Sequence, residues 1–511
     1  LFKAYVDDLN AAGVRKSLMY DMIGTSLKQT LGEHAELRRA KVSEYMYDHI
    51  EMVVHPYELL IGSQLGLYPV DTELPDYEER KKQVYAYLCE YKQKRLAGEA
   101  KGYGTRDHLD LPQAGNQRDK RFALISRDHY EANIPYDQLQ KLVYEMEEAF
   151  KDDEILIAPE IGREVEHFFN YTYDEAYRLM NDMHYYVANH LSYDHGRLLQ
   201  RGFGSLRDQA KRGLADAQDH EDAEKARFYQ AALITMEAAI RYIYRYADFV
   251  EAEAGKTADG ERKAQLLEAA ARMRRIAEQR PKNFKDAIQL LWLEFILSNI
   301  PGGNAVSFGR FDQYMYPFYK HDIDAGVITR EEAKEYVMDL WTKVNEPKMR
   351  TVISMILAGT TPDGKPGENE LTPLCLEVLR EMKTPFPNTG IRLRHDSPEW
   401  VYDQVIQTLE AGVGQPCIFN DDHWIPILEA RGYAPEDARD YYNMGCVEIM
   451  IQGKTPNWTI AADLGFPTAI ELALYNGEFS NYGIKGLPTG TIDTLDSFGE
   501  YEVIAAFKTV A

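Results

Sequence analysis

Thr389-Gly390-Ile391-Arg392-Leu393-Arg394, Ser397-Pro398 and Pro416-Cys417-Ile418-Phe419-Asn420 decide the reading of the fold. The first stretch alternates, with Ile391 and Leu393 on one face, and predicts a short strand from Thr389 to Arg394. Ser397 as N-cap and Pro398 in the first turn then start a helix. Val401, Val405 and Leu409 form its inner stripe, and Gly412 lies near its end. The run 416–420 is short and apolar, which predicts a buried strand. Helical segments are expected at 422–431 and 435–442. Strand, helix, strand, helix at this spacing is the pattern of a β/α barrel or a doubly wound sheet, an α/β class. Such folds carry their chemistry on loops beyond strand ends. Asn443-Met444-Gly445-Cys446-Val447-Glu448 occupies such a place.

Working outward, residues 1–290 read as mainly helical. In 263–279, Leu266, Ala270, Met273 and Ala277 share one face. Pro281 breaks that pattern, and Phe284, Ile288, Leu291 and Phe295 resume it. The charged stretch 207–226 reads as a solvated helix face or loop. Residues 300–511 read as barrel segments. Among them Thr329 and Glu332 form a capping box, ahead of a helix that buries Ala333, Val337, Leu340, Trp341 and Val344. Nothing repeats, and no linker stands out. The 35 tyrosines often fall at helical spacing, which signals packing.

Composition narrows the function. The chain has 511 residues, 45% hydrophobic and 27% charged, with a net charge of −24. That is globular composition. The negative charge argues against nucleic acid, whose phosphates need a basic face. The most apolar stretch, Leu290 to Ile300, is broken by Glu294, Ser298 and Asn299, so no membrane-spanning helix is expected. The four cysteines, Cys89, Cys375, Cys417 and Cys446, fit neither a disulfide framework nor zinc-like spacing. We therefore expect a cytoplasmic protein without a metal. Cys375 and Cys417 read as core residues. The chain opens on Leu1 and stops at Ala511 inside a helical pattern, so an incomplete polypeptide is expected.

Cys446 and Glu448 are the residues with chemical potential. One residue separates them, so in an extended segment both side chains point the same way. Gly445 allows a tight turn. A lone cysteine usually packs as a small hydrophobe. A neighbouring carboxylate also raises a thiol's pKa and weakens thiolate attack. The same charge leaves a neutral S–H, which suits hydrogen-atom transfer.

Gly445-Cys446-Val447-Glu448 resembles the active-site cysteine loop of glycyl radical enzymes, the pyruvate formate-lyase family. Other blocks resemble it in order. They are Arg38-Arg39-Ala40-Lys41, Pro56 to Gln64, Gly309-Arg310-Phe311-Asp312-Gln313-Tyr314 and Gly359 to Gly364. Asn369-Glu370-Leu371, Phe419-Asn420-Asp421, Asp437 to Tyr441, Gly453-Lys454-Thr455 and Trp458 follow. The resemblance implies a ten-stranded β/α barrel surrounded by helices. It implies a thiyl radical on Cys446 that takes hydrogen from a small organic substrate, with Glu448 as the base. Gly-Cys-Val-Glu is similar to the branch that eliminates water, an amine or a sulfur group, a dehydratase or lyase. Acyl transfer of the formate C-acetyltransferase kind needs two adjacent cysteines, and Gly445 and Met444 precede Cys446. That reaction and decarboxylation stay as alternatives. So does a non-catalytic barrel subunit.

The resemblance also implies no bound cofactor. The radical would be installed by a radical S-adenosylmethionine activase on a glycine that these residues lack. An Arg-Val-x-Gly-aromatic run is not among them, so the glycine-radical domain is expected on a longer chain or on a partner subunit. A homodimer is the usual assembly. His190, in Asn189-His190-Leu191-Ser192-Tyr193-Asp194, matches a segment whose histidine faces the substrate. Asp312 is a further candidate for the cavity, as are Thr459 and Ile460. Ile460 stands where polyol dehydratases have a carboxylate. Ile300-Pro301-Gly302-Gly303-Asn304 replaces a Glu-Ser-Asn-Gly-His run. These departures lead us to expect a substrate other than glycerol or propanediol, with more apolar bulk.

Overall fold

The computed structural model describes residues 1–11, 18–68, 76–99, 136–171, 189–301, 304–347, 349, 353–445, 447–455, 474–475, 478–479 and 484–485. The chain divides into two units, Leu1–Asn457 and Trp458–Ala511. Within the second, β8 (Glu478–Phe479) and β9 (Ile484–Lys485) pair antiparallel. All that follows concerns the first unit.

Its helical part is organised round the helix Phe284–Asn299, where 14 of the 16 residues are buried. A helix apolar on all sides has to be enclosed by others. Helices His195–Asp219, Gly260–Ile276, Phe311–Asp324 and Arg330–Lys343 pack on it. The expected stripe Leu266, Ala270, Met273 and Ala277 is buried. The capping box forms, with Thr329 accepting from the Glu332 amide and Glu332 accepting from Thr329. Among the described residues no helix is long and apolar enough to cross a membrane.

Segment 55–64 is stitched to this core by buried polar groups. Gln289 donates to Ile61 O at 2.7 Å and accepts from Ile61 N at 2.9 Å. Trp292 Nε1 donates to Gly62 O at 2.9 Å. Asp339 accepts the Leu59 and Leu60 amides. Lys343, fully buried, pairs with Glu58 and Glu346.

The first five strands run parallel, side by side in two sheets that backbone hydrogen bonds link into a wall. β1 (Asn189–Leu191) pairs with β2 (Asn304–Val306). Beyond β2, Phe308 N donates to Ser354 O and Ile356 N to Gly309 O, which carries the pairing into β3 (Ser354–Ala358). β4 (Asn388–Leu393) and β5 (Cys417–Asn420) complete it in parallel. Helices Leu371–Met382 and Glu399–Glu410 connect β3 to β4 and β4 to β5. Burial on both faces is what parallel strands require, and β3 is buried at every position.

Five expectations are corrected. Leu409, expected on the inner stripe with Val401 and Val405, is 46% exposed. Ile418 is 54% exposed, because β5 pairs only with β4 among the described strands and turns that residue outward. Cys417 is therefore half-buried and not core, whereas Cys375 is fully buried. Ser397 does not cap the following helix. Its hydroxyl accepts from Arg394 N and donates to Glu368, and Pro398 takes the cap position. The helix expected at 435–442 ends at Ala438. Tyr441–Met444 is instead a strand, β6, and its antiparallel partner β7 is Glu448–Ile451. The strands that flank position 446 are thus antiparallel neighbours.

Candidate active site

The register of the hairpin defines the site. Met444 pairs with Glu448 and Tyr442 with Met450. Cross-strand partners share a face, so Tyr442, Met444, Glu448 and Met450 stand together. Tyr442 Oη lies 3.7 Å from Met450 Sδ. Gly445, position 446 and Val447 join the strands. Cys446 itself lies outside the described residues. Gly445 has φ +55°, the left-handed region that L side chains avoid. Glu448 Oε2 accepts the Val447 amide at 3.1 Å, so the carboxylate is tied to the turn. Burial first, and then the Glu448 charge, push the Tyr442 phenol above its ordinary value.

Two buried guanidiniums seat the start of β6. Arg392 lies 3.9 Å from the centroid of the Tyr441 ring. Its Nε and Nη2 grip Asp421 at 2.7 and 2.9 Å, and Nη1 and Nη2 donate to the carbonyls of Tyr441 and Arg439. Tyr441 Oη donates to Asp421 at 2.7 Å. Burial alone would raise the Asp421 carboxyl, but Arg392 more than offsets it and holds it below the ordinary value. Arg310 donates to Asp440 at 2.9 Å, to Arg439 O and to Ala358 O. Burial, then the neighbouring Arg392 charge, lower its pKa. These donors take the carbonyl of Arg439, which explains why the helix stops at Ala438.

The parallel wall holds the hairpin along its length. Ser354 Oγ donates to Asn443 O at 2.7 Å, and Asn388 Nδ2 to Gly445 O at 3.2 Å. Ser307 Oγ lies 3.2 Å from Met444 Sδ. At the far end Gly453 N donates to Ser192 O, and Gln452 Nε2 donates to Tyr193 O at 3.0 Å. Gly453 has φ +66°, and a Cβ there would stand 2.6 Å from Asp194 Cβ.

Of the expected site residues, the structure describes Glu448, Asp312 and the backbone of His190. Glu448 is at the tip. His190 lies in β1, whose continuation holds the end of β7, while its side chain lies outside the described residues. Thr459 and Ile460 also lie outside them. Asp312 is fully buried and its acceptors are taken. It accepts from Ala358 N at 2.8 Å, Thr372 Oγ1 at 2.6 Å and Gln313 Nε2 at 2.9 Å. It ties the helix Phe311–Asp324 to β3, and the neighbouring Arg310 pairs with Asp440. Burial keeps its carboxyl above the ordinary value against those donors.

Sequence reasoning missed three features. Arg392 was read only as the polar residue of an alternating strand. His195 and Glu294 form a buried pair, with Nδ1 to Oε2 at 2.8 Å, and no spacing rule links positions so far apart. Glu294, an acid inside an apolar run, was the one visible signal. His55, Glu58 and Glu346 bring potential metal-ligand atoms within 4.8 Å of one another. Lys343 already supplies their positive charge, so we read this group as an ion-pair network.

Comparison with known proteins places the geometry. A family model described as pyruvate formate lyase-like matches residues 19–511. A (2S)-3-sulfopropanediol dehydratase from Klebsiella oxytoca is 33% identical over 338 residues, 63% of this chain and 41% of that protein. An isethionate sulfite-lyase from Bilophila wadsworthia is 30% identical over 331 residues, 60% of this chain and 40% of that protein. The chain thus spans about two-fifths of the length of these relatives. Among solved structures, the glycerol-bound B12-independent glycerol dehydratase from Clostridium butyricum superimposes with a TM-score of 0.70 at 25% identity. The match covers 99% of this chain and 61% of that one. A glycyl radical enzyme from Archaeoglobus fulgidus gives 0.69, also at 25%, with 99% and 62% covered. The parallel wall with a cysteine hairpin is that of the glycyl radical enzyme barrel, and the chain belongs to the pyruvate formate lyase-like family.

Proposed function

We propose that this chain carries the thiol half of a glycyl radical dehydratase or lyase, with Cys446 as hydrogen-atom carrier and Glu448 as base. The observation that carries the reading is the register of β6 and β7, which sets Glu448 opposite Met444 at the base of the turn containing position 446. A radical glycine, on a longer form of the chain or a partner subunit, supplies the oxidising equivalent that leaves Cys446 a thiyl. Support for its approach comes from the tip, where Val447 is 56% exposed. Cys446 then takes a hydrogen atom from a substrate C–H. Glu448 accepts the proton of the adjacent hydroxyl, which favours departure of the neighbouring leaving group. The product radical recovers its hydrogen from Cys446, and the cycle closes.

The substrate class is a small hydroxylated organic molecule with a leaving group on the next carbon. The named relatives favour hydroxysulfonates and diols. Pro301 and Ile460, where polyol enzymes carry polar groups, favour an apolar substituent over a third hydroxyl. A radical S-adenosylmethionine activase is the required partner, a homodimer the proposed assembly, and the cytoplasm the compartment.

The test is anaerobic activation of the full-length protein with its activase. A glycyl doublet in electron paramagnetic resonance, with elimination from one substrate of a diol and hydroxysulfonate panel, supports the reading. Full radical yield with no elimination, or equal turnover by Cys446→Ala, overturns it.

A further inference from the structure

We propose that His195 is a positioning residue that clamps together the two supports of the Cys446 hairpin. Its ring is fully buried. Nδ1 lies 2.8 Å from Glu294 Oε2, and Nε2 lies 3.0 Å from Ser307 O. Ser307 O only accepts, so Nε2 carries a proton and donates to it, while Nδ1 faces the Glu294 carboxylate as an ion pair. Burial opposes that charge, but Glu294 more than offsets it, and the ring's pKa is held above its ordinary value.

The two ends of this bridge reach different strands of the hairpin. On one side, the backbone leading into His195 holds the end of β7. Ser192 O accepts from Gly453 N, Tyr193 O accepts from Gln452 Nε2, and Asp194 packs on the Gly453 Cα. On the other side, Ser307 holds β6. Its Oγ lies 2.7 Å from Ser354 Oγ, which donates to Asn443 O, and 3.2 Å from Met444 Sδ. The same two segments are joined just before these residues by the β1–β2 ladder, Leu191 facing Val306, and the hydrogen bond from His195 to Ser307 O is the side-chain tie that continues this link to the residues gripping β6 and β7. Without it the link ends at the ladder, and β6 and β7 gain freedom relative to each other.

Glu294, though not the His195 ring, lines a cavity of about 610 Å³ with Arg39, Tyr47, Tyr193, Asp194 and Arg197. In His195→Ala the vacated ring volume adjoins Glu294, and added imidazole tests whether it is refilled. This role rests on Cys446 being the reactive thiol, but its readout needs no turnover. Failure of the function reading would leave the readout unchanged.

The experiment is amide hydrogen exchange on the intact chain carrying His195→Ala. Exchange across 441–453 should rise at least tenfold while β4 amides keep their rates, and millimolar imidazole should restore protection. Unchanged hairpin rates, an equal rise in β4, or no response to imidazole overturn the proposal. If His195→Ala does not fold, Glu294→Gln keeps the volume and removes the charge that holds the ring protonated. Severalfold faster hairpin exchange then supports the clamp, and wild-type rates overturn it.

Discussion

The Arg392 guanidinium lies over the ring of Tyr441, 3.9 Å from its centroid, and grips Asp421 with two nitrogens. Both charged groups are buried, at 0% and 1% exposure. Arg392→Met leaves the Asp421 carboxylate without its cation, which should cost about 3–5 kcal/mol. Urea unfolding reads this directly. Asp421 has a depressed pKa. Its contribution is therefore present above the unfolded carboxyl's pKa and is lost as pH falls through the lower folded value. An Arg392→Met variant as stable as wild type would show that the pair is not needed.

Gly445→Ala places a Cβ at a positive φ. The expected loss is about 1–2 kcal/mol, visible as a lower melting temperature. Gly412→Ala is the control, since it is also left-handed and has nothing within 4 Å of its Cβ position. Both should lose similar stability, and only Gly445→Ala should lose activity in the activated enzyme. Equal activity in the two would mean that the tip tolerates distortion.

Glu448→Gln keeps the shape and removes the base. In activated full-length enzyme kcat should fall about 10²–10⁴-fold, while glycyl radical yield stays at the wild-type level. Spin counting beside steady-state kinetics separates the two. A variant with normal kcat would remove Glu448 from the mechanism.

Asp339 gives a pH signature. Burial raises its carboxyl from the ordinary range to about 7, against Lys343 and the Leu59 and Leu60 amides. A raised pKa contributes stability that is complete below the unfolded value near 4 and is lost as pH rises to about 7. Asp339→Asn should flatten the dependence of the unfolding midpoint between pH 4 and 7. Glu346 has the opposite sign. Burial alone would raise it, but Lys343 and His55 bring it down to about 2. Its contribution is present above the ordinary carboxyl value and disappears as pH falls toward 2. An unchanged slope in Asp339→Asn would show that this carboxyl is ionised throughout.

How far the sequence carried the fold depended on how local each cause was. β4 was visible from alternation, and the helix after Thr329 from its cap, because neighbouring residues decide both. Tyr441 and Tyr442 continued a helical pattern from Pro435. The strand they form is imposed by Arg310 and Arg392, which come from other elements. Ser397 had the chemistry of a cap and was drawn instead to Glu368. Cys446 and Glu448 stood out because their spacing is local. The residues that brace β6 and β7, Ser192, Ser307 and Ser354, are ordinary in sequence and gain meaning only from contacts across the chain.

The bond from Gln452 to Tyr193 joins positions 259 residues apart. Closing so long a stretch of chain is entropically unfavourable, and contacts of this kind form late. The helices between them have to assemble before the hairpin has anything to rest on. β6 and β7 are thus seated only after the surrounding helices are built. On the proposed function, a half-made chain would then lack the paired strands that flank position 446, and folding order would keep radical chemistry from starting early.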